Sequence, residues 1–300
     1  MAMKHVTKQI LKACSFQTVK VNASRQLADL KKIDFYKRFY RKQDYTVERD
    51  GYKIPVRVFY PEQMEKLPDI LLFFHGGGWS TDNIDTYQRI CAMLANASQQ
   101  VVVSVDYRLA PECKFPCGLL DCYQVARKLY QQVKEEKITL IGDSAGGNLA
   151  AAISLLARDR KDFHVKRQIL IYPSLSGDYS DPSKYASMLE NGSDYILTMG
   201  KLQDYIALYS KQDSDKSNPY FAPMQARKLE HQPDTLIITA EFDPLRDEGE
   251  AYGRRLLACG NVVNMYRIKD AIHGFFALGI KHYHVQESFD IINTFLKSRR

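Results

Sequence analysis

Ile138-Thr139-Leu140-Ile141-Gly142-Asp143-Ser144-Ala145-Gly146-Gly147 is the stretch that decides the fold. An apolar run of strand type enters it, and an apolar, Ala-rich run over 145–157 leaves it as a helix. Glycines at 142 and 146 suit a sharp strand-to-helix turn with no room for side chains, which lifts the Ser144 hydroxyl above the sheet. The helix N-terminus behind the serine aims N–H groups at developing negative charge. Gly-x-Ser-x-Gly alone is a weak signal; the strand before it and the helix after it give it weight.

Working outward, further continuous apolar runs lie at 70–74, 101–105, 169–172, 235–239 and 262–266, as expected of strands buried on both faces. Helical patterns fall at about 85–98, 118–134, 246–259 and 284–297. Two alternating segments, 45–49 and 54–60, flank Asp50-Gly51, a hairpin signal, and read as an antiparallel edge. The pattern predicts an α/β fold: an eight-stranded, mostly parallel sheet with helices on both faces and its chemistry at the C-terminal ends of the strands. The core then covers 45–174 and 231–300. Residues 1–44 read as helical, with an apolar stripe of Leu27, Leu30, Ile33, Tyr36 and Tyr40. Residues 175–230 carry no buried-strand run but do carry a helical stripe of Tyr195, Ile196, Met199, Leu202, Ile206 and Tyr209. Both segments are expected to form a helical cap.

With 300 residues, 45% hydrophobic and 26% charged, the composition is that of a globular chain and excludes disorder, collagen and coiled coil. Six cysteines are too few for a disulfide scaffold. No apolar run reaches the ~18 residues of a membrane helix. The basic start at Met1 to Lys8 lacks the apolar stretch of a signal peptide, since Lys12 breaks Ile10-Leu11. We therefore expect a cytoplasmic protein with reduced thiols and no stable membrane insertion. The net charge of +7 is spread along the chain, and the basic segment Lys37 to Lys42 reads as a solvated helix face, not a nucleic-acid site.

A serine hydroxyl needs a base within hydrogen-bond reach, and the base needs an orienting carboxylate. Of seven histidines, only His75 and His273 closely follow a buried strand at an expected active-site loop. Glu241, Asp243 and Asp247 follow the 235–239 strand; Pro244 supports a turn with Asp243 at the strand end, while Asp247 suits the first turn of the next helix. Ser144, Asp243 and His273 are thus the expected nucleophile, orienter and base. His75-Gly76-Gly77-Gly78-Trp79, directly after the 70–74 strand, lets backbone N–H groups point at a ligand oxygen. A phosphate cradle is disfavoured because the Lys-Ser/Thr of a P-loop is absent.

His75-Gly76-Gly77-Gly78-Trp79 together with Gly142-Asp143-Ser144-Ala145-Gly146-Gly147 resembles the hormone-sensitive-lipase-like family of α/β-hydrolase esterases and lipases. Tyr107-Arg108-Leu109-Ala110-Pro111-Glu112, Asp243-Pro244-Leu245-Arg246-Asp247 and His273-Gly274-Phe275 also match, over about residues 65–300. The resemblance implies an α/β-hydrolase fold with a helical cap and a serine carboxylic-ester hydrolase for small to medium acyl esters. It implies Ser144, Asp243 and His273 as the triad, the N–H groups of Gly76, Gly77 and Ala145 as oxyanion donors, and no cofactor or metal. A small-molecule receptor on the same fold, or an amidase or acyltransferase with the same triad, are the alternatives.

Smaller signals are bland. Cys113, Cys117 and Cys122 fit a zinc knuckle poorly and read as thiols. His282 and His284 do not share a helix face for metal binding. Arg108 and Glu112 read as loop braces. The edge near 262–268 is where two copies would pair as a homodimer.

Overall fold

Along β3 (Ile70–Phe74), Leu71 and Phe73 enter one apolar cluster while Leu72 and Phe74 enter another. That two-residue alternation with both faces buried is what makes the run continuously apolar. The computed structural model describes residues 18–32, 40–64, 68–278 and 282–298. The other strands are β1 (Lys42–Arg49), β2 (Tyr52–Phe59), β4 (Val101–Val105), β5 (Ile138–Asp143), β6 (Arg167–Ile171), β7 (Asp234–Phe242) and β8 (Val263–Ile272). They form one eight-stranded sheet in the order β1-β2-β4-β3-β5-β6-β7-β8. β1, β2 and β4 pair antiparallel; every pair from β4 through β3 to β8 is parallel.

Helices α2 (Gln88–Ser98) and α8 (Tyr283–Lys297) cover one face, contributing Ile90, Leu94, Phe289 and Ile292 to the cluster that holds Leu71 and Phe73. Helices α3 (Cys117–Gln132), α4 (Ala145–Arg160) and α7 (Arg246–Ala258) cover the other with Leu119, Leu149, Ile153 and Leu256. β3 is flanked by β4 on one side and β5 on the other, so the chain's winding direction reverses there. In an open α/β sheet such a reversal leaves a crevice at the C-terminal strand ends. The glycine triplet follows β3 and Ser144 follows β5, so both motifs border that crevice.

The expected hairpin is present, and other local expectations shift. The hairpin turn is Asp50-Gly51, both at positive φ (51° and 77°), as a type I′ turn requires. β1 begins at Lys42, inside the stretch read as helical, because Asp44 sits opposite Arg57 on β2 and pairs with it through two hydrogen bonds of 2.6 and 2.8 Å. The N-terminal helix α1 (Val21–Asp29) buries Ala28 and leaves Leu27 60% exposed, so the predicted stripe does not face a core at Leu27. Residues 1–17 and 33–39, with Ile33 and Tyr36, lie outside the described residues.

Between β6 and β7 the chain forms α5 (Ala186–Asn191), α6 (Met199–Tyr209) and short 3-10 turns, with no strand. α6 starts only at Met199, because the Thr198 side chain caps it by accepting from Lys201 N at 3.3 Å. Tyr195 and Ile196 therefore lie before the helix, and Leu202, Ile206 and Tyr209 are its buried face.

Cys113 and Cys117, read from sequence as thiols, are joined as a disulfide; the turn before α3 brings their Cα atoms to 5.7 Å, within bridging range. Cys91 and Cys122 are buried free thiols and Cys259 is half-buried. Among the described residues no helix is long and apolar enough to cross a membrane.

Candidate active site

The turn from β5 into α4 is tight enough to exclude side chains beside the serine. A Cβ on Gly142 would stand 2.2 Å from Gly146 O, and one on Gly146 would stand 2.0 Å from Phe74 O. Ser144 itself is held at φ 53°, ψ −117°, a region non-glycine residues seldom occupy. Its N–H donates to Ile171 O at 2.9 Å, which fixes the turn against β6.

Three side chains distant in sequence meet here. His273 follows β8, and its Nε2 lies 2.9 Å from Ser144 Oγ while its Nδ1 lies 2.7 Å from Asp243 Oδ2. A carboxylate oxygen accepts, so the proton belongs on Nδ1 and Nε2 is free to accept from the serine hydroxyl. Asp243 is fully buried, and its second oxygen, Oδ1, accepts Leu245 N–H at 2.8 Å. The competing carboxylates are engaged elsewhere. Glu241 accepts Asp270 N–H at 2.8 Å; Asp247 pairs with Arg246 at 2.8 Å and accepts Ser187 N–H at 2.8 Å. The ring of Tyr172, buried and at φ 34°, packs 4.7 Å from the imidazole centroid and limits its tilt.

Two glycines of the triplet, Gly77 and Gly78, lie in the facing wall, and here one expectation is corrected. Gly76 N–H donates to Asp143 Oδ1 at 2.9 Å, so it points into the protein rather than at a ligand. The cavity is lined by Gly77, Gly78 and Ala145, but not by Gly76. Gly77 and Gly78 take φ +102° and +57°, and a Cβ on Gly78 would stand 2.2 Å from the Tyr205 ring. His75 is buried and braces this loop: its Nδ1 lies 2.8 Å from Gly76 O, it stacks on Tyr107 at 4.3 Å, and Tyr107 OH donates to His75 O at 2.8 Å. Burial pushes the His75 pKa down, which suits a structural, neutral ring. Trp79 stacks on Tyr209 of α6 at 4.4 Å, tying the loop to the segment above it.

Sequence reading missed Asp143. It is fully buried beside Ser144; its Oδ1 accepts Gly76 N–H, and its Oδ2 accepts Tyr87 OH at 2.9 Å and Tyr172 OH at 3.3 Å. Burial raises its pKa to about 6, partly opposed by the Tyr87 hydrogen bond. Nothing in the one-letter code distinguishes it from a filler residue of the Gly-x-Ser-x-Gly pattern.

The cavity has a volume of about 320 Å3. Its floor holds Ser144 and His273; Leu197, Leu202 and Tyr205 cover it, with Lys31 and Lys201 also in its wall. Lys31 pairs with Asp82 at 2.7 Å, and Lys201 donates to Ile196 O at 2.7 Å, its pKa lowered by burial. Arg25 on α1 grips the adjoining loop through Ser80 O, Ala110 O and both oxygens of Glu112, all within 3.0 Å. Arg108 forms a two-toothed pair with buried Asp121 at 2.8 and 2.9 Å.

Comparison with known proteins agrees with this architecture. Residues 71–277 match the family described as the alpha/beta hydrolase fold. The chain is 36% identical over 239 residues to an arylesterase of Saccharolobus solfataricus, covering 78% of this chain and 76% of that protein. It is 36% identical over 245 residues to a carboxylesterase of Mycobacterium tuberculosis, covering 78% and 75%. Its structure is similar to that of a hyperthermophilic esterase from the archaeon Pyrobaculum calidifontis, with a TM-score of 0.87, 34% identity and 99% of each chain covered.

The chain belongs to the α/β-hydrolase family, within its hormone-sensitive-lipase-like esterases, and is a hydrolase of the carboxylesterase kind.

Proposed function

We propose that this α/β-hydrolase esterase cleaves small to medium acyl esters through a Ser144 acyl-enzyme, with His273 as base and Asp243 as its orienter. The observation that carries the proposal is the single imidazole placed 2.9 Å from Ser144 Oγ and 2.7 Å from Asp243 Oδ2. An ester binds with its carbonyl oxygen toward the N–H groups of Gly77, Gly78 and Ala145. Ser144 Oγ attacks the carbonyl carbon as its proton passes to His273 Nε2. Asp243 holds the tautomer and stabilises the imidazolium. The tetrahedral oxyanion is met by the three N–H groups and by the α4 N-terminus. The C–O bond to the alcohol then breaks, and His273 protonates the departing oxygen. Water repeats the sequence on the acyl-enzyme and releases the acid.

The N-terminal segment and residues 175–230 act as a cap in this scheme, since Lys31, just after α1, lines the cavity and Leu197, Leu202 and Tyr205 cover it. A volume of about 320 Å3 is at the small end for ligand pockets, ~300–1,000 Å3, and supports short acyl chains. The test is a p-nitrophenyl ester series from acetate to palmitate on the wild type and Ser144→Ala. We expect kcat/KM to peak at short to medium chains and to vanish in Ser144→Ala. A peak at the longest chain would overturn the substrate range, and an active Ser144→Ala would overturn the nucleophile.

A further inference from the structure

The oxyanion hole is assembled from two separate loops. Gly77 and Gly78 lie after β3, whereas Ala145 lies after β5. The strands are neighbours in the sheet, but sheet pairing ends at Phe74 and Gly142, so it does not reach Gly77, Gly78 and Ala145, which line the cavity. Their mutual placement needs a contact beyond the last ladder pair, and Asp143 supplies it. This residue precedes the nucleophile on the β5 side, and its Oδ1 takes the N–H of Gly76 on the β3 side at 2.9 Å. Its Oδ2 is held in turn by Tyr87 OH at 2.9 Å, from the start of α2, and by Tyr172 OH at 3.3 Å, from the ring that backs His273. One carboxylate therefore touches the glycine loop, the nucleophile turn and the support of the base.

An ionised carboxylate buried without a cationic partner in hydrogen-bond contact is costly, and is retained where several donors converge on it. Hydrogen bonds to such a group are shorter and stronger than neutral ones, which suits a part that must hold position. The geometry points to Asp143 as a positioning residue that registers the Gly76-Gly77-Gly78 loop against the Ser144 turn, so that the N–H groups of Gly77 and Gly78 converge with that of Ala145 on one oxygen. Turning Gly76 N–H inward is the means: with that amide anchored, the two that follow are presented to the cavity. The inference rests on the proposed Ser144 mechanism and adds the part that sets its transition-state geometry.

The experiment compares Asp143→Asn and Asp143→Ala with the wild type, with Ser144→Ala as control. It measures kcat and KM for a short p-nitrophenyl ester and Ki for an alkyl trifluoromethyl ketone, which adds to the serine and places an oxyanion in the hole. Asp143→Asn keeps an oxygen for Gly76 N–H but loses the charge; Asp143→Ala loses the acceptor. We expect kcat to fall about tenfold in Asp143→Asn and about 10²-fold in Asp143→Ala, the scale of an oxyanion-hole defect. Ki should rise by matching factors while KM stays within about threefold, the signature of an interaction realised in the transition state. Thermal melts report folding; if Asp143→Ala does not fold, Asp143→Asn decides alone. Unchanged kcat and Ki in folded variants, or a change confined to KM, overturns the positioning role. An active Ser144→Ala overturns the mechanism beneath it instead.

Discussion

The floor of the cavity and its cover are built by different means. The floor consists of buried strand ends, a serine at a strained backbone angle, and the fully buried carboxylates Asp143 and Asp243, each with at least two hydrogen-bond partners. The cover is joined in two ways: α6 is packed in through its buried face of Leu202, Ile206 and Tyr209, while the N-terminal segment is held by polar contacts. Arg25 meets Glu112, whose side chain is 64% exposed, Lys31 meets Asp82, and Val19 N–H meets Asp204 at 2.7 Å. Buried, mutually dependent contacts leave little freedom, whereas an exposed pair such as Arg25–Glu112 is worth only about 0–1 kcal/mol. The floor can therefore fix one chemistry while the cover changes the shape of the substrate.

Breaking the floor should have the largest effect. His273→Ala removes the base and should lower kcat on the order of 10⁴–10⁶-fold, checked by steady-state kinetics with an unchanged melting temperature. Gly78→Ala comes next. Its Cβ would stand 2.2 Å from the Tyr205 ring at φ +57°, so the loop must move, and loss of about 10²–10³ in kcat is expected. Leu202→Ala instead enlarges the cover side of the cavity. It should shift the best substrate toward longer acyl chains, leaving kcat for its preferred ester within about tenfold, since one pocket methylene group is worth roughly 10–200-fold in discrimination. A chain-length series reads this directly, and an unmoved optimum would deny the cover its role in specificity.

Two carboxylates sharpen the contrast at the small end of the scale. Asp143 has its pKa raised to about 6 by burial, so the folded state holds that proton more tightly than the unfolded chain does. Its ionised form costs stability, in full above about pH 6 and not at all below the ordinary carboxylate range. Relative to the wild type, Asp143→Asn should therefore gain stability as pH rises from about 4 to about 6, by up to about 3 kcal/mol, with no further gain above that, while losing activity. Glu112 has the opposite sign: its hydrogen bond to Arg25 lowers its pKa to about 2. The stabilisation it brings is present above the ordinary carboxylate range and is lost only as pH falls toward 2. Glu112→Gln should thus lower stability slightly, and by the same amount from pH 5 to pH 9. Melting curves across pH separate the two behaviours.

The same division explains what could be read from sequence. Strands buried on both faces leave continuous apolar runs, so 70–74 and 101–105 coincide with β3 and β4 at both ends. The glycines at 142 and 146 are legible because a side chain there has no space. Which two of Gly76, Gly77 and Gly78 face the cavity was not legible, because the three are identical in sequence and the choice is made by Asp143 across the sheet. Nor was the face of α1: Leu27 fits a helical stripe, yet nothing packs over it enough to bury it. The Cys113–Cys117 disulfide depends on the turn geometry before α3, which spacing alone does not report.

The central claim is that Ser144 Oγ carries the acyl group, and rapid-quench mass spectrometry with p-nitrophenyl acetate tests it most directly. The account predicts a burst of p-nitrophenol with one acetyl group on the peptide containing Ser144, and neither in Ser144→Ala. A burst retained in that variant, or an acetyl group found on a different residue of the wild type, would contradict it.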